Sequence, residues 1–194
     1  MKKVLLFLAN GFETYEASVF IDVIGWNLVE GDGMTELVTC GIKREVKSSF
    51  NLKVIVDLIL DEINVDEFDA IAIPGGFEKY GYYEDAYNEK FLNLIRRFHQ
   101  KNKIIASICV GALPVGKSGI IRGKKATTYN LDHGLRQETM RNFGVDVINE
   151  PIVIEENVVT SWNPATAIGV AFILLEMLTT KKNTHTIRKM MGFT

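Results

Sequence analysis

Val4–Ala9, Ala70–Ile73 and Lys103–Ile108 are short runs with almost no polar residue after their first position. Each is too short for a buried helix. None shows the apolar–polar alternation of a strand with one wet face. Such runs are strands covered on both sides, and that covering comes from helices crossing over a parallel sheet. The segments between them supply those helices. About Thr14–Glu30, residues Val19, Phe20, Val23, Ile24, Trp26 and Leu28 recur at helical spacing, and Gly31-Asp32-Gly33 ends the stretch. Asn88–Gln100 carries Phe91, Leu92, Leu94, Ile95 and Phe98 on one face.

The same reading extends along the whole chain. Strands are predicted at Glu36–Gly41, Lys53–Asp57, Lys125–Tyr129, Ile152–Ile154 and Val158–Trp162, with Arg44–Ser49 a turn or hairpin. The last two strands pair through Glu155-Glu156-Asn157. Helices are predicted at Val110–Ser118 and Leu131–Phe143, from Pro164 onward, and at Thr184–Met191. Proline suits a first helical turn, where its missing N–H costs little. Repeated β-α units without a linker or internal repeat predict one α/β domain over residues 1–194, a mostly parallel sheet with helices on both faces. Phe20 and Trp26 belong to its core or to a dimer surface, with core the default expectation.

Composition narrows the function. Apolar residues make up 47% of the 194, enough for a core without disulfide or metal staples. The formal net charge of −2 argues against a nucleic-acid partner, which selects for a basic excess. The apolar stretch Ala165–Leu178 is too short to cross a membrane, so no membrane association is expected. Two cysteines, Cys40 and Cys109, make no disulfide framework, and a reducing cytoplasm is the expected setting.

Ligands of parallel sheets sit beyond the carboxyl ends of the strands, so the chemistry is sought in those loops. Ser107-Ile108-Cys109-Val110-Gly111 joins a buried strand to a helix through a nucleophile flanked two positions away by small residues. That is the requirement of a nucleophile elbow, and the helix amino end is expected to favour the thiolate. Pro74-Gly75-Gly76 ends another strand, and the N–H groups of Gly75 and Gly76 are candidates for holding an oxyanion. Gly11-Phe12-Glu13-Thr14-Tyr15-Glu16 opens the first helix with two carboxylates. Either can reach across to Cys109, and spacing does not choose between them. Cys40, on a strand, is expected to be packing.

These segments, with Asp69–Gly76, Ala106–Gly111, Lys124-Lys125-Ala126-Thr127-Thr128 and Thr160-Ser161-Trp162-Asn163-Pro164-Ala165-Thr166, resemble the ThiJ/PfpI superfamily, in particular its DJ-one branch, over essentially the whole chain. The resemblance implies a flavodoxin-like three-layer sandwich and a homodimer. It implies that Cys109 is an oxidation-prone nucleophile, that Glu16 hydrogen-bonds its sulfur, and that the N–H groups of Gly76 and Val110 form the oxyanion site. Three departures stand out. Val110 occupies the place of the histidine that follows the cysteine in protease-like members. Tyr129 stands where the DJ-one branch commonly has histidine. Trp162-Asn163-Pro164 replaces the late His-x-Glu of related amidotransferases. Of the remaining histidines, His133 is the candidate for the pocket; His99 and His185 are expected on other surfaces.

The resemblance implies an enzyme acting on small reactive carbonyls, by thiol addition with Glu16 as proton shuttle, as in glyoxalases and deglycases. The alternative is a redox-sensing or stress-protective protein in which Cys109 oxidises to a sulfinate. A cysteine hydrolase ranks third, since no adjacent histidine activates the thiol. None of these calls for a cofactor: no metal, nucleotide or flavin is expected, and Gly75-Gly76 lacks the Lys-Ser/Thr of a phosphate loop.

Overall fold

The structure is a computed structural model that describes residues 1–193. Its strands are β1 (Lys2–Phe7), β2 (Thr35–Gly41), β3 (Glu45–Lys47), β4 (Lys53–Ile55), β5 (Leu58–Ile59), β6 (Ala70–Ile73), β7 (Ile104–Ser107), β8 (Lys125–Ala126), β9 (Asp146–Val147), β10 (Ile152–Glu155) and β11 (Val158–Ser161). Its helices are α1 (Thr14–Glu30), α2 (Tyr82–Ala86), α3 (Glu89–Gln100), α4 (Ala112–Lys117), α5 (Leu135–Asn142), α6 (Ala167–Leu178) and α7 (Lys181–Met190).

Seven strands form one sheet in the order β10-β11-β7-β6-β1-β2-β5. Only β10 runs antiparallel, against β11; the other neighbours are parallel. The three apolar runs are β1, β6 and β7, side by side at the centre. Val4–Phe7, all of β6 and Ile105–Ser107 are buried. Burial on both faces follows from the helices: α1 packs on α6, and α6 on α7, while α3 lies on β6 and β7 beside α4. Phe7 stacks on Phe91 of α3 with ring centroids 3.5 Å apart, which locks the centre of the sheet to that layer. No helix of the described residues is long and apolar enough to cross a membrane.

The chain starts at β1, runs outward through β2 and β5, then returns through β6 to the other side. The order therefore reverses between β1 and β6. A crevice opens at such a point because the loops after the two strands leave in opposite directions. Here they are the Leu8–Glu13 and Pro74–Gly76 segments, tied by a two-residue bridge between Phe12 and Gly76.

Several elements differ from the sequence reading. The segment Lys53–Asp57 is not in the main sheet: β4 pairs with β3 as a separate hairpin. Lys125–Tyr129 shortens to two residues, paired with β9 outside the main sheet. Side chains take over from the ladder there: Thr127 N–H donates to Thr160 Oγ1 at 2.9 Å, and Thr128 Oγ1 to the Cys109 carbonyl at 2.9 Å. Helix α5 begins at Leu135 rather than Leu131, because His133 (φ 58°) and Gly134 (φ 80°) are left-handed. Trp26 is 39% exposed, not in the core. With Ile21 and Val29 it leaves an apolar stripe on the outer side of α1, while Phe20, Val23 and Ile24 face inward.

Candidate active site

Strand β7 carries the chain into a turn at Ile108 and Cys109. Cys109 has φ 58°, a left-handed conformation that costs a side-chain-bearing residue about 1–2 kcal/mol. The surroundings hold it there. Thr128 clamps its carbonyl, and the following turn packs so closely on β6 that a Cβ on Gly111 would lie 2.5 Å from the Ile73 carbonyl oxygen. Only glycine fits, which explains the small residue two positions after Cys109. The elbow leaves Cys109 8% exposed, whereas Cys40 on β2 is fully buried.

Glu16, in the first turn of α1, is fully buried. Its Oε2 accepts the Gly75 N–H at 2.7 Å. Its Oε1 has no hydrogen-bond partner among the described residues, and the carboxyl lies beside Cys109, close enough for each group to affect the other's proton. Burial pushes the Glu16 carboxyl up to about 8, against the pull of the Gly75 N–H. Burial likewise raises the Cys109 thiol well above its usual range; an ionised Glu16 would add to this, and the Val110 N–H opposes it. Burial of the thiol therefore works against the thiolate that the helix end was expected to favour. Helix α4 has only six residues behind a 3-10 turn, a short stack of aligned peptides to set against desolvation of the thiol.

The cysteine and the acid meet at the floor of a cavity of about 240 Å³. Gly76, Val110, Glu13 and Tyr129 line it close to the pair; Phe77, Glu78, Asp132 and Arg136 carry the wall outward. Backbone donors converge here. The Val110 N–H is directed at the sulfur. The Gly76 N–H engages no acceptor among the described residues. Gly75 does not fill the oxyanion role its position suggested, because its N–H is already spent on Glu16. Gly76 has no room for a side chain: a Cβ would overlap the Gly11 carbonyl and the Tyr82 ring. Tyr82, fully buried, supports the turn by donating its hydroxyl to the Pro74 carbonyl at 2.8 Å.

Glu13 and Glu16 are both drawn in, at different depths. Glu16 is fully buried beside Cys109, whereas Glu13 is half-buried in the wall and raised by desolvation. Tyr129 lines the cavity. His133 does not: its left-handed backbone turns it to solvent, and Asp132 and Arg136 on either side take the wall. Among the described residues, no histidine lines the cavity. Sequence reasoning missed the Arg136 cluster. Its guanidinium binds Glu78 at 2.9 Å, lies 3.4 Å from Asp132 and stacks over the Tyr83 ring. Glu78 and Tyr83 come from the loop after β6 and from α2, Asp132 and Arg136 from the region around the start of α5, and no local pattern connects the two segments.

A flavodoxin-like α/β sandwich with a left-handed cysteine at a strand-to-helix turn, backed by a buried acid, defines the class. The chain belongs to the DJ-1/PfpI family, whose model matches residues 2–177. It is similar to the deglycase PfpI of Pyrococcus furiosus, 31% identical over 162 residues that cover 84% of this chain and 90% of that protein. It is also 30% identical to the deglycase PH1704 of Pyrococcus horikoshii over 163 residues, 84% of this chain and 91% of that protein. Among solved structures, Drosophila melanogaster DJ-1beta superposes with a TM-score of 0.85 at 23% identity, covering all of this chain and 98% of that one. At that identity the superposition speaks to fold.

Proposed function

We propose that the protein is a cysteine-dependent enzyme acting on small reactive carbonyls, with a vicinal dicarbonyl such as methylglyoxal as the working substrate. The observation that carries this reading is the pair of Cys109 and the buried Glu16 carboxyl on the floor of a cavity that also offers the free Gly76 N–H. The Cys109 sulfur adds to the aldehyde carbon. The thiol proton passes through Glu16 to the former carbonyl oxygen, giving a hemithioacetal. Gly76 and Val110 N–H groups stabilise negative charge on that oxygen as the bond forms. A carboxyl raised to about 8 is suited to carrying this proton near neutral pH. Substrate size follows from the cavity, which at about 240 Å³ takes a few heavy atoms rather than a folded peptide. The wall holds Glu13, Glu78 and Asp132 against one cation, Arg136, which favours neutral carbonyls over anionic ones. A wall built without histidine weighs against amide hydrolysis. Two relatives named deglycases are in keeping with this chemistry.

The test is lactate formation from methylglyoxal. The wild type and Cys40→Ser are expected to form it, and Cys109→Ser to form none. Lactate from Cys109→Ser at the wild-type rate, or none from the wild type, would overturn the proposal.

The protonated Glu16 also favours a second reading, stress protection by oxidation of the same thiol. A neutral carboxyl donates to a sulfinate oxygen, and Val110 and Gly76 N–H groups supply further donors. Mild peroxide would then convert Cys109 to the sulfinate while sparing Cys40; equal oxidation of both contradicts it. We also propose a homodimer through the outer stripe of α1, supported by Ile21, Trp26 and Val29 around a groove of about 410 Å³ at Gly25. Sedimentation should show Trp26→Glu as a monomer; an unchanged dimer excludes this face.

A further inference from the structure

Cys109 and Glu16 account for making a hemithioacetal, but not for what must follow. To become a hydroxyacid, the adduct must move the hydrogen of its former aldehyde carbon to the neighbouring carbonyl carbon. A second base has to do this, because Glu16 sits against the sulfur with one oxygen held by Gly75. Such a base must line the same cavity, keep its carboxylate free of internal partners, and be anchored through its backbone.

Glu13 meets all three conditions. It lines the cavity together with Cys109 and Glu16. It precedes α1 as the N-cap residue, yet its side chain makes no capping bond and no other hydrogen bond among the described residues. An N-cap acid ordinarily spends its carboxylate on the first-turn amides, so this one is held back from its structural use. Its backbone is fixed at both ends. The Glu13 N–H donates to the Gly75 carbonyl at 2.8 Å, and its carbonyl accepts from Ala17 N–H at 3.1 Å. Those bonds tie it to the loop that presents the Gly76 N–H. The other wall carboxylates are occupied, since Glu78 and Asp132 both hold Arg136.

We infer that Glu13 is a second catalytic acid–base residue, the one that transfers the carbon-bound proton of a vicinal dicarbonyl adduct. This rests on the carbonyl reading above and extends it. In the hemithioacetal, Glu13 takes the proton from the sulfur-bearing carbon, and the electron pair moves into the bond to the adjacent carbonyl carbon. An enediol forms as Glu16 gives its proton to that carbonyl oxygen. Glu13 then returns its proton to the second carbon as the hydroxyl on the first gives its own to Glu16 and becomes a carbonyl. The sulfur-bearing carbon is oxidised to a thioester and its neighbour is reduced to a secondary alcohol, with no external oxidant or reductant. Water attacks the thioester carbonyl, the carbon–sulfur bond breaks, and hydroxyacid and thiol are released. A simple aldehyde has no second carbonyl to receive the electron pair, so it forms the first adduct and stops.

The experiment compares wild type, Glu13→Gln and Glu13→Asp with methylglyoxal and with propanal, reading lactate and the protection of Cys109 from iodoacetamide. Glu13→Gln should lose about 10²–10³-fold in kcat with KM changed less than about 3-fold, on the scale of the modest binding effects of one wall residue. Both carbonyls should still protect its Cys109 as in the wild type, and Glu13→Asp should recover part of the turnover. Glu13→Gln with near wild-type kcat overturns the inference alone, as does parallel loss of turnover and protection, which would make Glu13 a support for the thiol. A wild type that forms no lactate overturns the carbonyl reading as well.

Discussion

Replacing Glu16 with glutamine should remove a specific part of the protein's sensitivity to pH. Glu16 keeps its proton in the folded protein up to about pH 8, whereas in the unfolded chain it releases it at the ordinary value of 4.5. Between those values the folded state binds more protons than the unfolded one, so stability is greatest below pH 4.5 and falls as pH rises towards 8. For a single site with these two values, the loss between pH 5 and pH 7.5 is about 3 kcal/mol. The amide of Glu16→Gln cannot ionise. Its oxygen can accept the Gly75 N–H that Oε2 accepts at 2.7 Å, and the side-chain volume is nearly the same. Other groups that titrate in this window, such as Glu13, are present in both proteins and largely cancel in the difference. Urea unfolding of both proteins at pH 5 and pH 7.5 measures it. The account predicts that the wild type loses about 3 kcal/mol relative to Glu16→Gln over that interval. Parallel pH profiles, within about 0.5 kcal/mol, would mean that Glu16 is ionised in its pocket and would refute the reasoning.

Two further substitutions probe the frame around the pair. Gly76→Ala forces a methyl group into the Gly11 carbonyl and Tyr82 ring and must open the bridge that carries Glu13 N–H to Gly75 and Phe77 N–H to Gly11. Overpacking should cost about 1–3 kcal/mol and lower the melting temperature by several degrees, read by calorimetry; an unchanged melt would show that the bridge is not needed. Tyr82→Phe leaves the buried Pro74 carbonyl without its donor, at a cost of about 1–3 kcal/mol. Urea unfolding should register that loss, and an unchanged midpoint would imply another donor for Pro74.

The parts of the fold visible in the sequence are those whose surroundings are uniform. β1, β6 and β7 are buried on both faces, so their residues are apolar without interruption, and α1 and α3 follow with the required periodicity. The end of β8 was overread because Thr127 and Thr128 satisfy the backbone through side chains from β11 and to the elbow, not through a ladder. The start of α5 was hidden by left-handed residues that include a histidine, a type that gives no such warning. At the site, the elbow declared itself through its small neighbours, because the chain's own backbone allows nothing larger. The choice between Glu13 and Glu16 was not legible. The residues lie three apart in one turn, and only the approach of Gly75 and Cys109 from other strands separates their depths. Arg136 with Glu78 and Tyr83 was invisible for the same reason, since loops remote in sequence assemble it. Trp26 was misplaced because helical periodicity marks apolar stripes but does not say what covers them.

The central claim is that Cys109, and not Cys40, meets a small carbonyl from the cavity. Peptide-resolved labelling of the native protein with iodoacetamide, with and without methylglyoxal, tests it most directly. The account predicts that Cys109 labels under native conditions, that Cys40 stays unlabelled, and that saturating methylglyoxal slows Cys109 labelling at least about tenfold, as occupation of the thiol requires. Labelling of Cys109 only after denaturation, or at the same rate with and without methylglyoxal, would contradict it.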